Sequence, residues 1–210
     1  MMIVAKRFFS LEGIDGSGKT TQLKLLAADL ESMGYSCVTL REPGGSKISE
    51  RIRDLLLDKR SSGMSPKAEL LLYNAARAQV IAEVVRPALD AGKIVLADRF
   101  AWSTLAYQGY GRQLDIDEVA ALSELTCGGC FPELTVVLDV PAPVGKKRRL
   151  LAGAAPDRLE AEADSFFERV RAGYLKIAKD NPDLVAVLDA TEAKEVLHEK
   201  LLNLVIERIS

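Results

Sequence analysis

The segment at residues 13–20, GIDGSGKT, constrains the fold of this chain more than any other part of the sequence. It matches the pattern G-x-x-x-x-G-K-[ST], follows an apolar run at residues 8–14 and opens an amphipathic stretch at residues 20–35. Glycines let such a loop turn tightly, so that successive backbone N–H groups point at a phosphate, and the following helix adds its positive N-terminal end. Lys19 would neutralise the β- and γ-oxygens, and the Thr20 hydroxyl would ligate Mg²⁺. The sequence therefore predicts a site for a nucleoside triphosphate, made by Gly13, Ile14, Asp15, Gly16, Ser17, Gly18, Lys19, Thr20 and Thr21.

The rest of the chain alternates short apolar runs with amphipathic stretches. Further strands are predicted at residues 37–41, 94–97, 134–140 and 184–188. Helices are predicted at residues 20–35, 48–59, 68–91, 116–126, 144–152, 163–179 and 192–209, with Pro87 a possible kink in the third. Strands separated by helices favour an α/β fold, with a parallel sheet covered by helices on both faces. No linker interrupts residues 1–210, so we expect a single domain.

Composition removes several classes of function. The 28 Lys and Arg against 30 Asp and Glu give a net charge of −2, which disfavours a general nucleic-acid-binding protein. With one histidine and three cysteines, a His-rich zinc site and a disulfide framework are excluded, and a reducing cytoplasm is expected. No signal-peptide pattern and no membrane-length apolar run occurs, so no membrane partner is expected.

A phosphate-binding loop of this kind serves GTPases, motor ATPases and small-molecule kinases alike. The guanine-reading Asn-Lys-x-Asp motif is not found, and the strand at residues 94–97 runs into Asp98-Arg99-Phe100 instead of Asp-Glu. Asp98 can hold Mg²⁺ through water, and Arg99 places a positive charge where a second phosphate could bind. This pairing favours phosphoryl transfer onto a molecule that is already phosphorylated.

Four segments occur in one order along the chain: residues 12–21, residues 41–45 (REPGG), residues 98–100 (DRF) and residues 103–109 (STLAYQG). Together they resemble the thymidylate kinase family of bacterial type, within the P-loop nucleoside monophosphate kinases. The resemblance covers essentially the whole chain. It implies transfer of the γ-phosphate of ATP to dTMP, giving dTDP and ADP for dTTP biosynthesis. It also implies a P-loop NTPase three-layer sandwich with a five-stranded parallel sheet, a small lid at about residues 148–160, Mg²⁺ and a homodimer.

Two of the candidate substrate-binding residues are predicted from their spacing along a helix, and the others are implied by the family resemblance. Tyr73 and Arg77 are four residues apart on a predicted helix, so they project from one face. The Tyr73 ring could stack on a flat base while Arg77 donates a hydrogen bond to it. Core packing of Tyr73 and a surface ion pair of Arg77 are the alternatives. The resemblance adds Asp15, Glu42, Arg53, Arg99, Ser103, Tyr107 and Gln108. Arg53 could equally be an ordinary exposed helix residue.

The catalytic residues implied by the resemblance are Asp15, Lys19, Arg99 and Arg158. Asp15 resembles the carboxylate that contacts the sugar 3′-hydroxyl, and Arg158 resembles a lid arginine. Some eukaryotic relatives carry an arginine where this chain has Gly16, so that cation must come from elsewhere, and the lid is the candidate to supply it. Which of Arg148, Arg149 and Arg158 does so stays open.

The sequence leaves two rival functions. Another nucleoside monophosphate kinase or a nucleoside kinase would share the loop, but the Asp98-Arg99-Phe100 segment and Gln108 argue against both. A non-catalytic ATP-binding regulator on the same fold is the rival from a different class. The intact set of Lys19, Thr20, Asp98 and Arg99 disfavours it.

Overall fold

The computed structural model describes residues 4–151, 153 and 157–209, and within them a five-stranded sheet organises the chain. The strands are β1 (Val4–Glu12), β2 (Cys37–Arg41), β3 (Ile94–Asp98), β4 (Phe131–Asp139) and β5 (Val185–Asp189). They are ordered β2-β3-β1-β4-β5, and every neighbouring pair is parallel. The predicted α/β fold with a five-stranded parallel sheet is confirmed.

Helices connect the strands, as a parallel sheet requires. They are α1 (Lys19–Ser32), α2 (Lys47–Leu57), α3 (Pro66–Val80), α4 (Arg86–Asp90), α5 (Ala101–Thr104), α6 (Ile116–Cys127), α7 (Ala142–Leu151), α8 (Asp164–Asp180) and α9 (Lys194–Ile209). A short 3₁₀ turn at Lys59–Ser61 and π-helical turns at Ile81–Val85 and Leu105–Gly111 complete the helical structure of the described residues. None of the helices in these ranges is both long and apolar enough to span a membrane.

Alternation along β1 separates two apolar layers. Phe8 packs on one face of the sheet with Ile81 and Val85, whereas Phe9 and Leu11 belong to the other cluster. That second cluster contains the buried leucines of α1 and the buried face of α9. Because successive side chains of a strand point to opposite faces, the sheet has a layer of helices on each side. This is the predicted three-layer sandwich.

Several element boundaries differ from the sequence-based expectation. Strand β1 ends at Glu12 and not at Ile14, because Gly13 turns the chain with a φ of 130°. The helix predicted at residues 68–91 is divided by the π turn ahead of Pro87, whose missing N–H leaves the carbonyl one turn earlier without its usual donor. The helical turns between Ala101 and Gly111 were not predicted.

Strand order places the ends of β1 and β3 side by side. Leu11 of β1 is in register with Asp98 of β3, and Asp98 is also in register with Arg41 of β2. After β1 the chain continues to β2 and β3 on one side of β1, and then crosses to β4 and β5 on the other side. Ligands of open α/β sheets bind at such a switch point, beyond the carboxyl ends of the strands. The loops after β1, β2 and β3 therefore meet where a site is expected.

Candidate active site

A cavity of about 600 Å³ opens over the loop that follows β1, a volume typical of small-molecule sites. Gly16 and Gly18 have φ values of 83° and 96°, which an ordinary side chain rarely adopts, so these positions need glycine. The cavity is lined by Asp15, Gly16, Gly18, Lys19, Thr20, Thr21, Arg41, Glu42, Arg53, Asp98, Arg99, Arg148 and Arg149. Six of the nine residues predicted to bind the triphosphate thus line one cavity. The other three, Gly13, Ile14 and Ser17, lie behind it and accept hydrogen bonds from Lys19.

Lys19 curls back into its own loop. Its Nζ donates to the carbonyls of Gly13 and Ile14, at 3.0 Å each. Burial and the positive charge of Arg99 lower the pKa of Lys19 to about 8. An anionic ligand in the cavity would offset both effects, so Lys19 is ready to exchange these carbonyls for phosphate oxygens.

Thr20 and Asp98 form a second feature of this cavity. The Thr20 hydroxyl donates to Asp98 Oδ2 at 2.5 Å, which joins the first turn of α1 to the end of β3. A hydroxyl and a carboxylate are oxygen donors of the kind that Mg²⁺ prefers. Among the described residues no group of three or more His, Cys, Asp or Glu could hold a metal. The pair suits an ion that keeps water and substrate oxygens as most of its ligands.

A second cavity adjoins the first and has an aromatic and apolar wall. Its lining consists of Asp15, Glu42, Pro43, Arg53, Leu57, Tyr73, Arg77, Arg99, Phe100, Ser103, Thr104, Tyr107, Gln108, Asp157 and Leu159. The two cavities share Asp15, Glu42, Arg53 and Arg99. All nine residues predicted to bind the acceptor line this second cavity, so the structure brings that whole set together.

Arg99 stands at the boundary between the two cavities. Its backbone has a φ of 73°, an uncommon conformation for a non-glycine residue, and its N–H donates to the carbonyl of Leu11 at 2.9 Å. The guanidinium donates to Asp15 Oδ1 at 2.6 Å and to the Gly13 carbonyl at 2.8 Å. It also donates to the Tyr107 hydroxyl at 3.0 Å. Contacts from three directions fix the cation between the cavities.

Asp15 is the acidic partner in this boundary. Burial opposes its ionisation, but the positive charges of Arg99 and Lys19 outweigh burial and hold the pKa of the carboxyl below its usual value. The Tyr107 hydroxyl donates to Asp15 Oδ2 at 3.2 Å. Asp15 is therefore an ionised acceptor that faces both cavities.

Glu12 and Tyr174 belong to this centre although neither was predicted as a site residue. Glu12 is fully buried and accepts from Phe100 N–H at 2.8 Å and from the Tyr174 hydroxyl at 2.9 Å. Ser103 also donates to Glu12, and Arg99 donates to Tyr174 at 3.3 Å. Burial raises the pKa of Glu12. The only sequence signal for Glu12 was its place at the start of the first matching segment.

The Arg77–Glu42 pair forms the floor of the second cavity. Arg77 is 2% exposed, and its Nε donates to Glu42 Oε2 at 2.8 Å. Its Nη2 donates to Thr104 Oγ1 at 2.8 Å and to the Phe100 carbonyl at 3.2 Å. Arg77 Nη1 and Glu42 Oε1 are buried and have no protein partner among the described residues. Burial raises the pKa of Glu42 to about 7, although Arg77 acts in the opposite direction. The buried pair thus keeps one donor and one acceptor without a partner.

The remaining acceptor-side residues surround that floor. Tyr73 lies half-buried, and burial raises the pKa of its hydroxyl, so the ring stays neutral. Gln108 is 1% exposed and donates to Glu69 Oε1 at 2.8 Å. Arg53 is half-buried and donates to the Pro43 carbonyl at 3.0 Å. An aromatic face, a carboxamide and a guanidinium therefore border one narrow space.

The three arginines of the predicted lid separate into two groups. Arg148 and Arg149 line the first cavity, the one over the loop after β1, which we call the phosphate cavity. Arg148 also donates to the Ala190 carbonyl at 2.9 Å. Arg158 lines neither cavity, because it donates to the Leu56 carbonyl at 2.6 Å and pairs with Glu69 at 2.6 Å. The structure therefore does not bring Arg158 to the other three predicted catalytic residues. Residues 152 and 154–156 of the predicted lid lie outside the described part of the chain.

Comparisons with known proteins agree with this architecture. The sequence model of the thymidylate kinase family matches residues 11–201. A thymidylate kinase of Syntrophotalea carbinolica is 52% identical over 197 residues, covering 91% of each chain. One of Geotalea uraniireducens is 45% identical over 208 residues, covering 97% of this chain and 98% of the relative. A crystal structure of thymidylate kinase from Ehrlichia chaffeensis matches with a TM-score of 0.77 and 34% identity, over 95% of this chain and 97% of the other. The chain belongs to the thymidylate kinase family.

Proposed function

We propose that this chain is a dTMP kinase, which transfers the γ-phosphate of ATP to dTMP and yields ADP and dTDP for dTTP synthesis. Family membership supports the assignment. The observation that carries it in the structure is the pair of adjoining cavities, one on a phosphate-binding loop and one lined by aromatic and polar side chains. Arg99 and Asp15 form their common wall, which suits direct transfer between two bound nucleotides.

ATP would occupy the cavity over residues 13–21. Backbone N–H groups of the loop and the N-terminus of α1 would hold its phosphates. Lys19 would replace its contacts to the loop carbonyls with contacts to the β- and γ-oxygens. Its charge would then offset the negative charge that spreads over the transferring group.

Thr20 and Asp98 would hold Mg²⁺ beside those phosphates, with Asp98 acting through water. Their donor chemistry fits the ion, and their 2.5 Å hydrogen bond shows that the two oxygens already converge. When bound, the ion supplies positive charge that neutralises the phosphate oxygens.

dTMP would occupy the second cavity. Tyr73 offers a neutral face for stacking on the base, and Arg77 Nη1 and Gln108 offer polar groups to its edge. Tyr107 would lie against the sugar, with Asp15 accepting from the 3′-hydroxyl. Ser103 would line the monophosphate end of the cavity.

The acceptor phosphate would lie near Arg99, Arg53 and Glu42, the residues common to both cavities together with Asp15. Arg99 can contact this phosphate and the γ-phosphate in one position, because its guanidinium is held at the boundary. Catalysis then depends on alignment and charge neutralisation, which is what phosphoryl transfer requires.

We further propose that residues 148–160 form the lid over ATP, within a single kinase domain of residues 1–210. Arg149 is the best-placed lid cation. Its guanidinium stacks on Phe167 at 4.9 Å, lines the phosphate cavity and keeps a buried Nε with no protein partner among the described residues. For Arg158 to take the catalytic role of our sequence-based prediction, closure would have to release it from Glu69.

A homodimer in the cytoplasm is the assembly and location we propose. The three cysteines are free, which suits a reducing compartment. Uncovered apolar side chains on α2 and α3 supply a surface for a second copy, with Ile48, Leu55 and Leu71 exposed by 47%, 49% and 54%.

A substrate panel tests the function. Purified protein with ATP and Mg²⁺ is given dTMP, UMP, CMP, AMP or GMP, and ADP release and the diphosphate product are measured. We expect turnover to be fastest with dTMP and markedly slower with the other four. Lys19→Ala, prepared in the same way, should release no ADP and so excludes a contaminating kinase. Comparable rates on any other monophosphate would contradict the substrate, and no ADP with any of them would favour an ATP-binding regulator.

A further inference from the structure

Glu69 on α3 is a buried carboxylate behind the wall of the second cavity, which we call the acceptor cavity because dTMP is proposed to bind there. Glu69 itself does not line this cavity. It is 1% exposed and accepts from Gln108 Nε2 at 2.8 Å. Arg112 donates to it through Nε and Nη2, both at 3.1 Å, and Arg158 pairs with it at 2.6 Å. Burial alone would raise the pKa of Glu69, but the hydrogen bonds from Arg112 and Gln108 outweigh burial and lower it. Glu69 is therefore ionised and can only accept hydrogen bonds.

That chemistry determines which way the Gln108 carboxamide faces. A carboxamide has one donor end and one acceptor end, and an ionised carboxylate accepts but cannot donate. The NH₂ group must therefore face Glu69, which leaves the carbonyl oxygen Oε1 for the other side. Among the residues that the structure describes, none donates a hydrogen bond to Oε1, although Gln108 lines the cavity beside Tyr73 and Arg77. The cavity wall thus presents an acceptor of fixed orientation.

Bases differ at the atom that such an acceptor would meet. Thymine and uracil carry a hydrogen on N3 and can donate, whereas N3 of cytosine has a lone pair and cannot. A carboxamide that is free to rotate would satisfy either base by turning over. A carboxamide whose NH₂ end is held can satisfy only the base that donates.

We propose that Glu69 is a positioning residue for pyrimidine selectivity, because it holds the Gln108 carboxamide with its oxygen toward the N3–H of the base. The inference rests on the proposed function, since it concerns how the acceptor cavity selects its base. Arg112 and Arg158 support the arrangement by keeping Glu69 charged and in place. Rejection of cytosine then comes from two lone pairs that face each other, a stronger basis for discrimination than shape alone.

The test is Glu69→Gln, which keeps the size of the side chain and gives it a donor. Residue 69 can then donate to or accept from Gln108, so the carboxamide is free to turn over. We expect the ratio of kcat/KM for dTMP to kcat/KM for dCMP to fall by about tenfold, the effect of one hydrogen bond. Any effect of releasing Arg158 on the phosphates acts on both substrates and cancels in this ratio.

Glu162→Gln is the matched control. Glu162 pairs with the same Arg112 at 2.6 Å but has no contact with Gln108, so the same neutralisation should leave the ratio unchanged. In a Gln108→Leu background, Glu69→Gln should also leave the ratio unchanged, because the residue through which Glu69 acts is gone. If Glu69→Gln does not fold, Glu69→Asp is the second variant. Its shorter side chain keeps the charge but moves the carboxylate away from Gln108, so the dTMP to dCMP ratio should fall in this variant too.

An unchanged ratio in a folded Glu69→Gln protein would overturn the inference, whatever the loss of kcat, and would leave Glu69 a structural ion-pair residue. A fall of the same size in Glu162→Gln would also overturn it. Failure of the proposed function is recognised separately, because it would appear in the unmutated protein as a lack of preference for dTMP over the other monophosphates.

Discussion

At the scale of single residues, charge and backbone conformation reinforce each other around Arg99. The left-handed backbone conformation of Arg99 costs about 1 kcal/mol or more of folding free energy. Hydrogen bonds from the backbone N–H groups of Arg99 and of the next residue offset that cost. Arg99 N–H donates to Leu11, and the next residue, Phe100, donates to Glu12. The same conformation points the guanidinium at Asp15 and Gly13. Arg99 is thus held in place before any phosphate binds.

Lys19 gives the first residue-scale prediction, because its pKa of about 8 lies close to neutral pH. Below that pH the ammonium is charged; above it the charge is lost in the free protein. Bound phosphates favour the charged form, so ATP binding should take up a proton at alkaline pH. With the free pKa at about 8, Lys19 should contribute an uptake of about 0.8 proton at about pH 8.5 and about 0.1 at about pH 7.

Calorimetry of ATP binding in buffers of different ionisation enthalpy measures this uptake directly. Lys19→Arg is the control, because a guanidinium keeps its charge throughout this range and the uptake should vanish. The same uptake at both pH values would show that another group titrates.

At the scale of elements, close packing joins the phosphate-binding loop to α7. A Cβ on Gly16 would lie 2.3 Å from the Gly145 carbonyl oxygen, and a Cβ on Gly145 would lie 2.7 Å from the Asp15 carbonyl oxygen. The backbones of the loop and of the helix that leads into the proposed lid are therefore in direct contact. A movement of α7 toward the loop would therefore displace Asp15 and Gly16.

Gly145→Ala tests this contact. Alanine favours an isolated helix over glycine by about 1 kcal/mol, so local propensity alone would stabilise the variant. Because the new methyl group would collide with the loop, we expect it to destabilise the protein by about 1–3 kcal/mol instead, with a raised KM for ATP. Thermal denaturation and ATP kinetics measure both effects.

Gly63→Ala is the corresponding control, because a Cβ there would meet nothing within 4 Å. Its melting temperature and KM should match those of the unmutated protein. A Gly145→Ala protein with higher stability and unchanged kinetics would mean that α7 moves away from the loop at no cost.

At the scale of the whole molecule, the apolar surface on α2 and α3 gives a prediction about assembly. Ile48 and Leu55 are seven residues apart, so they share one face of α2, and Leu71 lies on the neighbouring α3. Burying this surface against a second copy would remove these side chains from water. Leu55→Glu should therefore give a monomer of 22.8 kDa in light scattering, against about twice that mass for the unmutated protein.

Val196→Glu is the control for the effect of Leu55→Glu on dimer formation. Val196 is 45% exposed on α9, outside the proposed surface, so the same type of substitution should leave the dimer intact. A dimeric Leu55→Glu protein would exclude this surface. A monomeric unmutated protein would exclude the homodimer itself.

The sequence alone predicted the class of fold, the phosphate-binding loop and the family, because each depends on local signals. Apolar periodicity reports strands and helices, and residues 13–20 combine the glycines, lysine and threonine that a phosphate requires within eight consecutive positions. The acceptor-side residues were predicted through resemblance to the family, and the structure brings them to one cavity. Their roles there stay predictions.

Only the tertiary structure decided which distant residues meet. Glu12 and Tyr174 are 162 positions apart, and Gln108 reaches Glu69 across 39 positions, so no local pattern connects either pair. Arg158 shows the same limit: its place in the predicted lid suggested a phosphate contact, but in the structure it contacts Leu56 and Glu69. Local propensity acts over a few turns of chain, whereas a buried charge is directed by whichever partner the packed elements bring within reach. The partners of Glu69, and hence the direction in which Gln108 faces, could be read only once the elements were packed together.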